Sequence, residues 1–159
     1  MNPVALIATI KINLLRRPLW ESDSVEECLD ISREKLMAMI ECGELAWAWN
    51  IGLGSTRQEL RILGHCVVER QMGVIPQIGA TRNLKLPDVV NLILPGTRET
   101  LRGTELQKLF LCNPDQIRRL RVSGDLEVVP ESLPPGGPNS SPRYTRASVA
   151  KFLEKRRVV

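Results

Sequence analysis

The chain has 159 residues, of which 43% are hydrophobic and 25% charged, a length and composition that exclude a large enzyme, a disordered chain and a coiled coil. Only 4% are aromatic, which argues against a protein that stacks single-stranded bases on many rings. The net charge is +4, with −2 in residues 1–70, +1 in residues 71–96 and +5 in residues 97–159, so we expect any anionic partner to contact the last third.

Residues 1–21 form an amphipathic segment. Leu6, Ile7, Ile10 and Leu14 share one helical face, although the alternation in the same region also suits a strand; length favours the helix. We expect this segment to dock on the body of the protein or on a second subunit, with a membrane-surface anchor as the alternative. No apolar run is long enough to cross a bilayer, and the basic residues follow the apolar stretch, which predicts no export signal.

One pattern occurs twice, 81 residues apart. Gly43 and Gly124 each stand in a Gly-acid-Leu sequence, and the apolar positions before them match in register. Ser32 and Asn113 are placed to cap a helix, with Pro114 at the first helical position of the second copy. Each copy therefore predicts two short helices joined by a tight turn, which is a helix-turn-helix.

A β-hairpin is predicted after each helix pair. In the second copy, residues 127–129 and 143–145 are strands around a proline-rich loop, and a helix follows. In the first copy, residues 46–49 and 55–57 are the strands, and the next helix begins at Gln58. This alignment makes the second hairpin eight residues longer, as expected of a hairpin tip.

The predicted fold is mainly α with short β wings, in two winged helix-turn-helix units in tandem. The parts are an N-terminal segment (1–21), a degenerate first unit (22–72), a connector (73–100) and a second unit (101–159). The connector holds an apolar helix, Leu86–Leu94, that we expect to pack against both units. Trp47 and Trp49 are predicted to lie in the core or an interface rather than to act as a wedge between bases.

Metal, cofactor and catalytic sites are not predicted. The chain has a single histidine, His65, and its four cysteines form no CxxC pair, so the clusters that metal binding or nucleophilic catalysis needs are missing. We expect no enzymatic activity. The cysteines are expected to be buried thiols in the reducing cytoplasm; because their number is even, disulfides are the alternative.

Residues 101–126 and 144–153 resemble an excisionase-type winged helix-turn-helix, related to the mercury-resistance regulators. The shared features are Leu101 and Glu105 at the start, a capping residue before proline, Arg118-Arg119-Leu120, Ser-Gly-acid-Leu, and a final helix ending in Phe-Leu. The chain departs from the pattern at Arg102, where threonine is usual, and in its long proline-rich wing.

This resemblance implies sequence-directed binding to duplex DNA, with the second helix in the major groove and the wing on the backbone or minor groove, in transcription regulation or DNA recombination. Arginine pairs with guanine, and glutamine or asparagine with adenine. The expected base-reading residues are Asn113, Gln116, Arg118 and Arg119. The expected phosphate or wing contacts are Arg102, Lys108, Arg121, Arg143 and Arg146, together with the basic tail Lys155–Arg157.

The first unit is expected to bind DNA weakly or not at all, because Met37 and Ala38 occupy the positions of Arg118 and Arg119. Its candidate weak contacts are Ser32, Arg33, Lys35 and Arg57. We expect this unit to contact a second subunit or a protein partner, while two DNA-reading heads are the competing arrangement. The alternative function for the whole chain is a protein-interaction or assembly adaptor without specific DNA binding.

Overall fold

The computed structural model describes residues 13, 16–53, 58–94, 96–130 and 142–158. Helices make up the larger share, and the strands form two small antiparallel sheets, in agreement with the predicted mainly helical class with short β segments. Within these residues, none of the helices combines the length and apolar character needed to cross a membrane. Leu6, Ile7, Ile10 and Leu14 lie outside the described residues, as do Arg57 and most of the proline-rich loop.

The first unit consists of a strand, two helices, a hairpin and a third helix. In chain order these are β1 (Leu19–Glu21), α1 (Ser22–Leu29), α2 (Arg33–Glu41), β2 (Ala48–Asn50), β3 (Leu60–Leu63) and α3 (Gly64–Met72). Strand β3 lies in the middle of the sheet, antiparallel to both β1 and β2. Strand β1 precedes the predicted boundary at residue 22, so the unit begins earlier than the helical pattern indicates.

The connector and the second unit follow. They contain a 3-10 turn (Thr81–Asn83), α4 (Leu86–Ile93), β4 (Thr100–Arg102), α5 (Gly103–Phe110), α6 (Pro114–Val122), β5 (Arg143–Thr145) and α7 (Arg146–Arg156). Strands β4 and β5 pair antiparallel, and Val128 forms an isolated bridge to Tyr144. The second unit therefore follows the order of elements in the first, except that an isolated bridge at Val128 stands in place of strand β2.

The two helix pairs keep a constant spacing along the chain. Helices α1 and α5, and likewise α2 and α6, begin and end 81 residues apart. The turn between the helices contains a left-handed non-glycine residue in each copy, Asp30 with φ 51° and Leu111 with φ 52°. Gly43 and Gly124, with φ 78° and 79°, follow α2 and α6 in the conformation that glycine adopts without strain.

The predicted alignment of the first hairpin is wrong. A helix was expected from Gln58, but Leu60–Leu63 is the returning strand and α3 begins at Gly64. All four strand residues are buried, Arg61 included. A segment of four residues is too short for its hydrophobic period to distinguish a strand from a helix. Leu63 pairs with Leu19, and Thr145 pairs with Thr100. Leu19 and Thr100 are 81 residues apart, whereas Leu63 and Thr145 are 82 residues apart. The second hairpin region is therefore longer by one residue, not eight.

The two units and the connector share one core. Trp47 and Trp49 are buried with their rings stacked at 6.2 Å, which confirms the prediction for this pair. Trp47 Nε1 donates to the carbonyl of Thr81 in the connector at 2.8 Å. Helix α4 buries Val89, Val90 and Ile93 and packs against α7, so the connector as a whole contacts both units.

The carboxyl-terminal residues extend the sheet of the first unit. Val158 N donates to the carbonyl of Ala48 at 2.9 Å, and Arg157 forms an isolated antiparallel bridge with Trp49. The guanidinium of Arg157 lies 3.7 Å from the centroid of the Trp47 ring, a cation–π contact. The tail of the second unit thus pairs with β2 of the first, and the two units are joined by backbone hydrogen bonds.

The four cysteines are free thiols, but only Cys66 is buried. Cys28 and Cys112 are partly buried and Cys42 is exposed, so the prediction of four buried thiols is wrong in this respect. Cys42 directly follows α2, at the end of the first helix pair.

Candidate nucleic-acid interface

Helix α6 has a well-defined start, end and buried side. The Asn113 side chain accepts a hydrogen bond from Gln116 N at 2.9 Å, and Pro114 occupies the first turn; both features begin a helix. Ile117 and Leu120 are buried, with Ile117 3% exposed. Because these two residues face the core, the opposite side of the helix faces outward.

The outward side of α6 carries two arginines. Asp115, Arg118, Arg119 and Val122 are exposed, and Val122 reaches 77%. The Arg118 Nε lies 3.6 Å from Asp115 Oδ1, with both side chains about two-thirds exposed, and such surface pairs are weak and easily exchanged for another anion. Arg119 makes no ion pair with any residue in the described part of the chain. Both guanidinium groups are available to a ligand.

The side-chain amides of Asn113 and Gln116, the other two predicted base-reading residues, are engaged in hydrogen bonds within the protein. Asn113 is exposed, but its side-chain Oδ1 accepts the capping hydrogen bond from Gln116 N. Gln116 is partly buried, and its Nε2 donates to Glu59 Oε2 at 2.7 Å and, at 3.5 Å, to the carbonyl of Ile51. The hairpin of the first unit therefore covers this side of α6, and the amide of the predicted base-reading residue Gln116 is already hydrogen-bonded within the protein.

Two of the predicted phosphate contacts lie together on the β4–β5 ribbon. Arg102 and Arg143 are directly opposite each other in the register and both are exposed, whereas their neighbours Leu101 and Tyr144 are buried. Since successive strand residues point to opposite faces, the two arginines share the outer face.

The remaining predicted phosphate contacts differ in availability. Lys108 is exposed on α5, and Arg121 is partly buried. Burial raises the pKa of Tyr144 while the positive charge of Arg121 opposes that rise, so the two side chains are close. Arg146 is also partly buried, and its Nη2 donates to Asn91 Oδ1 at 2.9 Å, which ties it to the connector.

The basic tail Lys155–Arg157, for which phosphate contacts are predicted, is folded back onto the protein. Lys155 Nζ lies 2.7 Å and Arg156 Nη2 lies 2.9 Å from the carboxylate of Asp125, whose side chain is 4% exposed. Burial acts to raise the pKa of Asp125, but hydrogen bonds from Lys155, Ser123 and Arg156 outweigh it and lower the pKa to about 2. The tail therefore fastens α7 to the end of α6.

The first unit offers fewer available cations. Arg33 Nη1 lies 2.9 Å from Glu26 and 4.0 Å from Asp23, while the Ser32 side chain caps α2 by accepting from Lys35 N at 3.3 Å. Lys35 is exposed, and Arg57 lies outside the described residues. The exposed side of α2 thus combines one lysine with two exposed acids, Glu34 and Glu41.

Sequence reasoning missed Arg61, which joins the two units. Its side chain, on β3, donates from Nε to the carbonyl of Phe110 at 2.6 Å and from Nη2 to the carbonyl of Leu111 at 2.9 Å. Burial lowers the pKa of Arg61, and Glu21 and Glu59 oppose this by attracting the positive charge. The available signal was an arginine inside an apolar strand, since a buried guanidinium needs carbonyl or carboxylate partners.

No group of three or more histidine, cysteine or acidic side chains that could hold a metal ion occurs among the described residues. Comparison with known proteins finds no family model, no curated protein and no solved structure that matches this chain. The chemical character of α6 and the β4–β5 ribbon is therefore the basis for the function proposed next.

Proposed function

We propose that this protein binds double-stranded DNA in a sequence-directed manner through its second unit. In this proposal the two units are winged helix-turn-helix modules in tandem, α6 enters the major groove, and the ribbon with its following loop lies on the backbone or minor groove. The protein acts by binding, as a small regulator or an excisionase-like accessory protein in recombination.

The observation that carries the proposal is the outward pair Arg118 and Arg119 on a helix whose other side is fixed in the core. Arg118 is 65% exposed at its side chain, and the helix beneath is capped at Asn113. Arginine recognises O6 and N7 of guanine with two hydrogen bonds, and each such pair contributes about 1–3 kcal/mol of discrimination. Arg102 and Arg143 would add phosphate contacts, which increase affinity without selecting a sequence.

The first unit has a supporting role in this proposal. Its helix α2 has Met37 and Ala38 where α6 has arginines, and Arg33 is already paired with acids. It would hold the second unit in position and contact a second subunit or a protein partner, rather than read a second DNA site.

The proposal is tested by measuring binding to labelled duplexes by fluorescence anisotropy, with the salt concentration varied. The double variant Arg118→Ala/Arg119→Ala should weaken binding to the preferred duplex by a factor of about 5–150 for each arginine that reads a base. The matched control Arg70→Ala/Arg82→Ala removes the same charge from exposed positions outside the second unit and should leave binding nearly unchanged. Equally weakened binding in both double variants would reject α6 as the reading element.

The adaptor is the second candidate function, and the exposed Val122 is compatible with it. Val122, 77% exposed, lies on the same side of α6 as the two arginines, and an exposed aliphatic side chain suits a protein interface. It also suits contact with a thymine methyl group. The adaptor would bind a protein with little dependence on salt and would not distinguish duplexes of different sequence, whereas DNA affinity falls steeply with salt.

A further inference from the structure

The hairpin of the first unit contacts the first turn of α6. Gln116 is the third residue of this helix, and its Nε2 donates to Glu59 Oε2 at 2.7 Å and to the Ile51 carbonyl at 3.5 Å. Glu59 stands just before β3, and so belongs to the unit that lacks the outward arginines. A residue at the expected DNA-reading end of one unit is therefore bound by a carboxylate of the other.

Backbone hydrogen bonds position Glu59 at the hairpin. Glu59 N donates to Asn50 Oδ1 at 3.1 Å, and Ile51 N donates to the Glu59 carbonyl at 3.0 Å. Two residues further along, Arg61 donates to the carbonyls of Phe110 and Leu111 in the turn before α6. These bonds fix the backbone of Glu59 beside α6, so that its side chain lies within reach of the Gln116 amide.

The hydrogen bond directs the Gln116 amide away from the role its position suggests. Recognition of adenine by glutamine uses the amide NH₂ as donor to N7 and the amide oxygen as acceptor from N6, with the amide group in the plane of the base. In this protein the NH₂ group is directed at a carboxylate, which is a stronger acceptor than a neutral base nitrogen. The negative charge of Glu59 would in addition repel nearby phosphates.

We infer that Glu59 is a specificity-determining residue: it withholds Gln116 from base contact, so that the first unit limits which bases α6 can read. This inference rests on the proposed function. The native protein should select its sites through Arg118 and Arg119, with no contribution from Gln116. Removing the carboxylate should release the amide and add a preference for adenine at one position of the site.

The test compares base preferences of Glu59→Ala, Glu59→Gln and the native protein, by selection from random duplexes and then by competition between duplexes differing at one position. Glu59→Ala should gain a preference for adenine of roughly five-fold or more, the lower end of what a glutamine–adenine pair provides. Glu59→Gln removes the charge but keeps an acceptor for the Gln116 amide. It should raise affinity for all duplexes alike while keeping the native preference.

Variants of Gln116 complete the test. Gln116→Ala in the native background should leave the preference at every position unchanged, and in the Glu59→Ala background it should abolish the new adenine preference. A loss of adenine preference from Gln116→Ala alone would overturn the inference, since Gln116 would then already be reading a base. Identical base preferences for Glu59→Ala and Glu59→Gln would also overturn the inference, because loss of the Glu59 charge alone would then explain the change.

Rejection of the proposed DNA-reading function would give a different set of results from rejection of the role of Glu59. If the native protein did not distinguish duplexes, and Arg118→Ala had no effect, DNA reading itself would be rejected. If Arg118→Ala weakened binding while Glu59→Ala left every preference as in the native protein, only the role of Glu59 would be rejected. The Gln116→Ala variant gives its answer even if Glu59→Ala does not fold, because Gln116 lies partly at the surface and the replacement is a good helix former.

Discussion

Asp125 links the end of α6 to the last turn of α7, and its replacement measures how much this contact stabilises the second unit. The side chain is 4% exposed and contacts Lys155, Arg156 and Ser123. Asp125→Asn preserves the shape while removing the charge. We expect it to lower the free energy of unfolding at pH 7.

The expected decrease in stability follows from the pKa of Asp125. A decrease from the ordinary value of 3.8 to about 2 corresponds to about 2.5 kcal/mol, at 1.36 kcal/mol per pH unit. Because Lys155 is 70% exposed, solvent weakens its attraction, and we expect about 1–2 kcal/mol.

The lowered pKa of Asp125 also determines how the stability of the fold depends on pH. The pKa is lower in the folded state, so the carboxylate stabilises the fold at pH values above about 4, and this stabilisation disappears as the pH falls towards 2. About half of the difference between the native protein and Asp125→Asn should be gone at pH 3.

The assay is urea unfolding followed by tryptophan fluorescence, repeated from pH 7 down to pH 3. Asp115→Asn is the matched control, because Asp115 is a carboxylate on the same unit that lies 3.6 Å from Arg118 Nε and whose side chain is 70% exposed; its replacement should cost little. If the cost of Asp125→Asn were the same at pH 3 as at pH 7, the charge of Asp125 would not be what stabilises the unit.

Three further predictions concern the caps, the junction between the units and the thiols. Asn113→Ala and Ser32→Ala each remove a helix cap and should each cost about 1 kcal/mol in urea unfolding, but only Asn113→Ala should weaken binding to the preferred duplex in anisotropy. Arg61→Met should destabilise the protein by about 1–3 kcal/mol in the same unfolding assay, because it leaves buried carbonyls without donors. Cys42, which is exposed, should react with a thiol reagent in the folded protein, whereas Cys66, whose pKa is raised by burial, should react only on unfolding; equal rates would contradict this.

Local signals were sufficient to predict the helix pairs. A capping side chain at Ser32 or Asn113 and a glycine at Gly43 or Gly124 act within one or two turns, and the helices begin and end 81 residues apart as expected. The same glycines adopt positive φ. Sequence patterns predict such features well because the interacting residues are close along the chain.

The errors arose where a residue's partner is distant along the chain. The strand Leu60–Leu63 is predicted as helix because four residues do not define a period, and its pairing with β1 depends on residues about 40 positions away. The contacts of Gln116 with Glu59 and of the tail with Asp125 could not be predicted, because a helical pattern within one unit does not identify partners elsewhere in the chain. The outward direction of Arg118 and Arg119 was predictable, since it depends only on Ile117 and Leu120 facing the core.

Selection of bound sequences from random duplexes, carried out in parallel with the native protein and with Arg118→Ala/Arg119→Ala, tests DNA reading by α6 most directly. The native protein should enrich a short site that contains guanine, and the double variant should no longer require those guanines. Enrichment of no common sequence by the native protein, or of the same site by both proteins, would contradict the proposal that these two arginines read DNA.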